Sequence, residues 1–296
     1  MLPNFIIAGV AKAGTTSLYY YLTQHSEVDI PRKESFYFAR EYYKHSPPGG
    51  PPFFRDKSRL IFSEIEYDKF YAQCHKTAIG EVSTCYAYFH ESAIPLIKEK
   101  LGDIKIIFML RNPVERAFSA YKHFLRLKAE PLSFKDALAA EKLRMEKQWD
   151  FMWYYTDVGF YTKQLQAFKE NFSQVKVFLT EDLASNPQQL MKELFGFIGV
   201  NDEFIADTSF QYNAADAMPS ILARKTFRNK ILKYLGKQII PEKKRMALKQ
   251  KLRTPAETSA LNMDAETKSS LIKLYREDIS ELEKIIGRDL GAWTNQ

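Results

Sequence analysis

The chain has few of the features that mark disulfide-rich, zinc-binding or membrane proteins. It contains two cysteines, Cys74 and Cys85, whose separation matches no zinc-ligand spacing. No stretch reaches the roughly 18 consecutive apolar residues that a membrane-spanning helix requires. No basic and then apolar leader precedes the first apolar run. We therefore expect neither a disulfide framework nor a Cys-ligated zinc site, and we expect a cytoplasmic protein without a membrane span.

What the chain does contain is enough apolar material for one large domain. Hydrophobic residues make up 45% of its 296 residues, which is ample for the core of a single α/β domain. Lysine and arginine number 43 against 36 aspartates and glutamates, and the formal net charge is +7. A basic surface attracts anionic ligands, but it is also compatible with an ordinary soluble protein. The net charge alone therefore does not show whether the protein binds an anionic ligand.

Short apolar runs alternate with helical patterns along the chain. The runs predict buried strands at residues 4–8, 28–30, 78–82, 104–110 and 175–179. The helical patterns cover residues 15–25, 90–101, a segment from 113, 133–148, 159–171, 187–198 and 266–286. This alternation predicts an α/β fold with a P-loop-like, doubly wound central parallel β-sheet flanked by helices. Such sheets bind ligands at the carboxyl ends of their strands.

We expect residues 1–296 to form a single domain with two irregular regions. Residues 40–60 include the run SPPGGPP at 46–52, which cannot hold regular structure, and we predict an irregular loop on the acceptor side. Basic residues dominate from 224 to 253, where Glu242 is the only acidic residue. We predict a basic, partly flexible flap over residues 211–263, with a solvated helical face as the alternative.

The most informative segment follows the first predicted strand. Residues 9–17 read GVAKAGTTS, a glycine-bearing turn that leads into a hydroxyl-rich helix start. The N–H groups and the positive dipole end of such a helix bind anions. A Walker A loop would need a lysine at the position of Thr15, whereas the lysine here is Lys12, inside the loop. The loop therefore predicts a phosphate-like ligand other than a Mg-nucleoside triphosphate.

A second cluster surrounds the end of the strongest central strand. Arg111 ends that strand, where a guanidinium group can bind a phosphate through two hydrogen bonds. Asn112 and Pro113 then start a helix as N-cap and first residue. Arg116 and Ser119 lie on the same helix face as Asn112 by their spacing. We interpret the cluster as part of an anion site.

Two further segments carry candidate side chains. If residues 31–36, PRKESF, are extended, Lys33 and Glu34 point to opposite sides, one toward an anion and the other toward an acceptor. A charged surface turn is the alternative. Residues 81–84, EVST, follow another predicted strand. They either line the site or simply cap a turn.

Together these motifs resemble those of PAPS-dependent sulfotransferases, where PAPS is 3′-phosphoadenosine 5′-phosphosulfate. Residues 9–17 resemble the 5′-phosphosulfate loop of that family, and residues 110–121 resemble its 3′-phosphate segment. Residues 31–38 resemble the Lys-Glu-x-x-Phe-Phe stretch of the heparan sulfate sulfotransferase branch and its bacterial relatives. Similarity to the bacterial members continues at 159–165, 180–183 and 286–293, so the resemblance runs from about residue 4 to residue 293.

The resemblance implies in-line transfer of a sulfuryl group from PAPS to a hydroxyl or amine of a small-molecule, lipid or glycan acceptor, with 3′,5′-ADP (PAP) as product and no metal. It implies that Glu34 is the general base and that Lys12 and Lys33 stabilise the leaving phosphate. The acceptor contacts we predict are Glu81, Ser83 and His123. The cofactor contacts we predict are Lys12, Ala13, Gly14, Thr15, Thr16, Ser17, Arg111, Ser119, Tyr161, Arg224 and Lys225.

Alternatives remain for the base and for the function. The rival bases are His25, His75, His90 and His123. A P-loop kinase or NTPase would bind Mg-ATP, and the absence of a lysine directly after Gly14 argues against it. A nucleic-acid-binding protein would use the basic residues 224–253. No recognised nucleic-acid motif accompanies them, so we expect no nucleic-acid partner.

Overall fold

A computed structural model describes residues 1–45, 49–50, 60–209, 217–219, 253–255 and 261–295. Its centre is a five-stranded sheet made of β1 (Phe5–Gly9), β2 (Val28–Asp29), β3 (Ala78–Val82), β4 (Lys105–Leu110) and β5 (Val175–Leu179). The strands lie in the order β2-β3-β1-β4-β5, and every neighbouring pair is parallel. The carboxyl ends of β1, β3 and β4 therefore meet at one edge of the sheet.

Helices flank this sheet, as the alternating pattern predicts, so the expected fold class is confirmed. They are α1 (Thr15–Leu22), α2 (Arg40–His45), α3 (Glu64–Tyr71), α4 (His90–Leu101), α5 (Pro113–Arg126), α6 (Phe134–Ala139), α7 (Glu141–Glu146), α8 (Thr162–Asn171), α9 (Thr180–Ser185), α10 (Pro187–Ile198) and α11 (Ala265–Ile286).

The three central strands are buried because helices cover the sheet. All five residues of β1 are buried, as are all five of β3 and the last five of β4. Near-continuous apolar runs of this kind are typical of parallel strands that are covered on both faces. Gly80 of β3 lies directly against the ring of Phe5 on the neighbouring strand, which leaves no room for a side chain there.

Some predicted boundaries differ from the structure. The first helix ends at Leu22 instead of continuing to residue 25. The helix predicted at 133–148 is broken into α6 and α7 at Ala140. Residues 40–45, which we predicted to be irregular, form α2, because the proline- and glycine-rich run starts only after it. Residues 46–48 and 51–59 lie outside the described part of the chain.

The predicted basic flap over residues 211–263 also lies mostly outside the described residues. The described part of it includes two short strands, β6 (Ala217–Pro219) and β7 (Arg253–Pro255), which pair antiparallel. Of the helices in the described residues, none is both long and apolar enough to cross a membrane. Cys74 and Cys85 are both buried and are not joined in a disulfide.

A substitution of Gly80 by alanine tests the close approach of β1 and β3. The new Cβ would lie 2.6 Å from Cε2 of the Phe5 ring and closer still to Cζ. Because that ring is fully buried, we expect Gly80→Ala to lower the free energy of unfolding by about 1–3 kcal/mol, measured by urea denaturation.

Gly196→Ala is the matched control for that experiment. Gly196 lies inside α10, and the atom nearest to its new Cβ would be 3.7 Å away. Alanine is favoured over glycine in a helix by roughly 1 kcal/mol, so stability should be unchanged or slightly higher. An equal loss of stability in both variants would contradict the packing described here.

Candidate active site

The loop between β1 and α1 has the geometry of an anion cradle. Lys12 and Gly14 adopt positive φ angles of 75° and 89°, which turn the chain sharply before α1 begins at Thr15. The N-cap of α1 is Gly14, and no side chain caps the first turn of the helix. The start of the helix therefore faces the loop with its N–H groups and its positive dipole end.

Lys12 is surrounded by other cations. Burial of its ammonium group, together with the positive charges of Arg126, Lys33 and Arg111, lowers the pKa of Lys12 to about 7. These three residues come from α5, from the segment after β2 and from the end of β4. The carboxyl edge of the sheet therefore collects positive charge, which favours an anionic ligand.

Arg111 is held at this edge by contacts on both sides. Its Nη1 donates to the carbonyl oxygen of Lys12 at 3.4 Å, and its Nη2 lies 3.6 Å from Oε2 of Glu115. The hydroxyl of Tyr161 donates to the carbonyl oxygen of Arg111 at 2.9 Å. Tyr161 is 1% exposed and supports the backbone of Arg111, and its expected contact with a cofactor stays a prediction.

The remaining loop residues predicted for the cofactor lie around the start of α1. Ala13, Thr15 and Ser17 are buried, whereas Gly14 and Thr16 are half-buried. Ser119 is buried two turns into α5, the helix that begins directly after Arg111. Lys12, Arg111 and the start of α1 come together as predicted. Arg224 and Lys225 lie outside the described residues.

Lys33 and Glu34 lie on the same side of the chain, so the prediction that they point to opposite sides is wrong. Glu34 has a φ angle of 65°, which breaks the extended geometry on which the alternation depends. As a result, Nζ of Lys33 lies 3.3 Å from Oε1 of Glu34. The same ammonium group donates to the hydroxyls of Thr15 at 3.1 Å and Thr16 at 3.0 Å. Lys33 therefore joins the Glu34 carboxylate to the anion loop.

The carboxylate of Glu34 is oriented by Thr84, which the sequence analysis did not include among the site residues. The Thr84 hydroxyl donates to Oε1 at 3.1 Å, and its backbone N–H donates to Oε2 at 3.3 Å. Because Lys33 also contacts Oε1, Oε2 is the less occupied oxygen within the described structure. The side chain of Glu34 is 20% exposed. The hydroxyl-rich run at 81–84 is the sequence signal for Thr84.

Glu81 and Ser83, which we expected to touch an acceptor, are fully buried instead. Both oxygens of the Glu81 carboxylate accept hydrogen bonds from hydroxyl groups. Burial raises the pKa of Glu81, and those hydrogen bonds oppose the rise. The two residues lie below the segment that carries Glu34, because β3 runs through the interior of the sheet. They therefore offer an acceptor no surface in this structure.

Among the four histidines considered as bases, only His123 lies close to Lys12. Burial, Lys12 and Arg126 lower the pKa of His123 to about 3, which leaves the ring neutral. His25 is buried, with one ring nitrogen 2.9 Å from the carbonyl oxygen of Asn201. His75 precedes β3 and so lies at the opposite edge of the sheet, and Nδ1 of His90 contacts the carbonyl oxygen of Ala87.

Two further residues at this edge were missed as site residues. The hydroxyl of Thr180 donates to the carbonyl oxygen of Leu110 at 2.9 Å and lies 3.4 Å from that of Ala13. It thereby ties the anion loop to β4. Arg126 lies seven residues after Ser119 on α5, a spacing that predicts a shared helix face.

The described residues contain no group of three or more His, Cys, Asp or Glu side chains that could hold a metal ion. The expectation of a reaction without a metal therefore stays a prediction. In the described residues, the Glu34 carboxylate is contacted by an ammonium group, a hydroxyl and a backbone N–H group, and Lys12 lies among cations. Such an arrangement can bind a polyanion and present a carboxylate beside it.

Comparison with known proteins agrees with this geometry. Residues 3–203 match the family model described as "Sulfotransferase family". Mouse heparan sulfate glucosamine 3-O-sulfotransferase 3B1 is 27% identical over 224 residues, which cover 74% of this chain and 52% of that protein. The mouse 3A1 protein is similar to the same extent, with 51% of its length covered. This chain thus spans about half the length of these curated relatives.

Solved structures share this fold. The sulfotransferase from Alicyclobacillus acidocaldarius has a TM-score of 0.79 and 30% identity, with 100% of both chains covered. Mouse sulfotransferase SULT7A1, solved complexed with PAP, has a TM-score of 0.52 and 12% identity, with 96% of this chain and 87% of that chain covered. At that identity, the likeness concerns the fold alone.

The low pKa of Lys12 predicts that the protein takes up a proton from solution when it binds an anion. In the free protein the pKa of Lys12 is about 7, so at about pH 8 most of the amine is neutral. A bound polyanion favours the charged form and raises this pKa. Binding of 3′,5′-ADP should therefore take up close to one proton at about pH 8 and much less at about pH 6. Calorimetric titration in two buffers of different ionisation enthalpy measures this uptake.

The control for this measurement is Lys12→Arg, because a guanidinium group stays charged throughout this range. The variant should bind 3′,5′-ADP without the proton uptake of the wild type. Equal uptake in both proteins would mean that Lys12 is not the group that gains the proton.

Proposed function

Since this chain belongs to the sulfotransferase family, we propose that it transfers a sulfuryl group from PAPS to a hydroxyl or amine of an acceptor, with Glu34 as the general base. The observation that carries this proposal is the Lys33–Glu34 pair, which joins a partly exposed carboxylate to the hydroxyls of the anion loop. A base and an anion site are thereby held within one hydrogen-bonded unit.

The residues at the carboxyl edge of the sheet fit the charge of PAPS. Lys12, Lys33 and Arg111 supply positive charge, and α1 adds the N–H groups of its first turn. We propose that Lys12, Lys33 and the loop residues from 13 to 17 hold the 5′ side of the donor. Arg111 and Ser119 would hold its 3′-phosphate, with Tyr161 fixing the position of Arg111 from below.

PAPS supplies the sulfuryl group, whose bond to the 5′-phosphate breaks as the acceptor oxygen or nitrogen forms its bond to sulfur. Glu34 takes the acceptor proton, and we assign this step to its less occupied oxygen, Oε2. Lys12 and Lys33 neutralise the negative charge that develops on the leaving phosphate, by preorganised electrostatics. A sulfuryl group carries less negative charge than a phosphoryl group, so the demand for a metal ion is smaller.

For the acceptor we propose a small molecule, a lipid or a glycan. Two of the curated relatives are named for a glycan, heparan sulfate, which makes glycans the first class to screen. We also propose that residues 1–296 act as one sulfotransferase domain. Arg224 and Lys225 would then contribute to cofactor binding.

Substitution of Glu34 by glutamine tests the assignment of the base. Glutamine keeps the size of the side chain but cannot accept the acceptor proton, so kcat should fall by about 10²–10⁴. The dissociation constant of PAP should change little, because Lys12 and Arg111 remain. Sulfate transfer from PAPS, followed by the mass shift of the acceptor, gives kcat, and calorimetry gives the dissociation constant.

Glu41→Gln is the control for this variant. Glu41 is a half-exposed carboxylate on α2, a few residues after Glu34 in the sequence. Glu41→Gln should therefore leave kcat unchanged. If Glu34→Gln turns over as fast as Glu41→Gln, Glu34 is not the base.

Thermal unfolding separates a PAPS-dependent enzyme from a Mg-ATP-dependent kinase. A ligand that binds only the folded state stabilises it, by about 2.7 kcal/mol at a hundredfold excess over its dissociation constant. We expect PAP to raise the midpoint temperature and Mg-ATP at equal concentration to have a much smaller effect. A larger shift with Mg-ATP would contradict the proposed donor.

A further inference from the structure

The segment that carries Glu34 has an unusual backbone. Glu34 and Phe36 both adopt positive φ angles, 65° and 60°, although neither is a glycine. Such conformations are sparsely populated for residues with a side chain and persist only where the surroundings hold them. The contacts that hold residues 34–38 therefore determine where the Glu34 carboxylate lies.

Five consecutive backbone N–H groups in this segment donate to acceptors on β3 or on hydroxyl side chains next to it. The N–H of Glu34 donates to the carbonyl oxygen of Val82 at 2.7 Å. Ser83 Oγ accepts the next two N–H groups, those of residues 35 and 36, at 3.1 and 3.3 Å. The N–H of residue 37 donates to Oγ of Ser35 at 3.3 Å, and that of residue 38 donates to the hydroxyl of Tyr86 at 3.2 Å.

The three hydroxyls that accept these N–H groups all turn their own protons toward one carboxylate. Ser83 donates to Oε1 of Glu81 at 3.3 Å, and Ser35 and Tyr86 donate to the same oxygen. A hydroxyl can donate one hydrogen bond while it accepts one or two others. Oε1 of Glu81 accepts from all three at once, which keeps each of them oriented with its lone pairs toward residues 35–38.

The other oxygen of Glu81 is anchored separately. Oε2 accepts a hydrogen bond from the hydroxyl of Tyr67 on α3 at 2.5 Å. In the described structure, Tyr67 makes no hydrogen bond to the N–H groups of residues 34–38. Glu81 itself is 0% exposed and lies within β3. The carboxylate is thus a fixed point between the sheet and the segment above it.

We infer that Glu81, acting through Ser83, Ser35 and Tyr86, is a positioning residue that fixes the Lys33–Glu34 pair for proton removal from the acceptor. This inference rests on the proposed role of Glu34 as the base. Loss of a connecting hydroxyl lets the strained backbone relax, which moves the Glu34 carboxylate. The anion loop and Arg111 are held by other contacts, such as Thr180 and Tyr161, and stay in place.

The decisive comparison is between Ser83→Ala and Tyr67→Phe. Each substitution removes one hydroxyl that donates to Glu81. Of these two hydroxyls, only that of Ser83 also accepts hydrogen bonds from the N–H groups of residues 35 and 36. We expect Ser83→Ala to lower kcat about tenfold or more, with the dissociation constant of PAP within about threefold of wild type. Tyr67→Phe should keep kcat within about threefold. Both are assayed well below their unfolding midpoints, so that lost stability does not enter kcat.

A double-mutant cycle tests whether Ser83 acts through Glu34. If it does, Ser83→Ala should cause almost no further loss in a Glu34→Gln background, because the group that it positions is already absent. Equal fractional losses in both backgrounds, or equal kcat values for Ser83→Ala and Tyr67→Phe, would overturn the inference. A fully active Glu34→Gln variant would instead overturn the assignment of Glu34 as the base. Failure of the inference about Glu81 and failure of the proposed base therefore give different results.

Discussion

The main constraint on the site is the repulsion among the cations that meet at the carboxyl edge of the sheet, which the fold must hold together. Lys12, Lys33 and Arg111 come from three separate parts of the chain, and burial of Lys12 together with repulsion from the other cations lowers the pKa of Lys12 to about 7. Such a cluster persists only because each member is tied to the fold. Lys33 is bonded to the threonines at the start of α1, and Arg111 is bonded to the loop that carries Lys12. The unfavourable charge is thus built into the folded protein before any ligand arrives.

Buried carboxylates in the interior are held by hydrogen bonds, as the cations at the carboxyl edge of the sheet are. Buried polar groups are costly unless they are hydrogen-bonded, and the carboxylate of Glu81 receives hydrogen bonds from several hydroxyls. A second buried carboxylate, Glu130, pairs with Arg144 through two bonds of 2.8 Å. Networks of this kind tolerate few alternative arrangements, so they define one conformation for the segments that they hold.

Much of the fold could be predicted from the sequence, because buried parallel strands leave long apolar runs that alternate with helices. The meeting of Lys12 with Arg111 was equally predictable, since both follow strands whose carboxyl ends share an edge. The side-by-side placement of Lys33 and Glu34 was not predictable, because no local pattern signals a positive φ at a glutamate. The burial of Glu81 was missed for a different reason. Its partners, Ser35 and Tyr67, come from segments that only the tertiary structure brings together.

The attachment of Glu34 to the anion loop has a consequence for how this architecture can diversify. Lys33 links the carboxylate to Thr15 and Thr16, and Thr84 links it to the end of β3, so the carboxylate keeps a fixed position relative to the anion loop. In the proposed function, segments outside this hydrogen-bonded unit can change to fit another acceptor while the distance between the base and the donor stays the same. A new acceptor specificity would then need no change in the residues that carry out the chemistry.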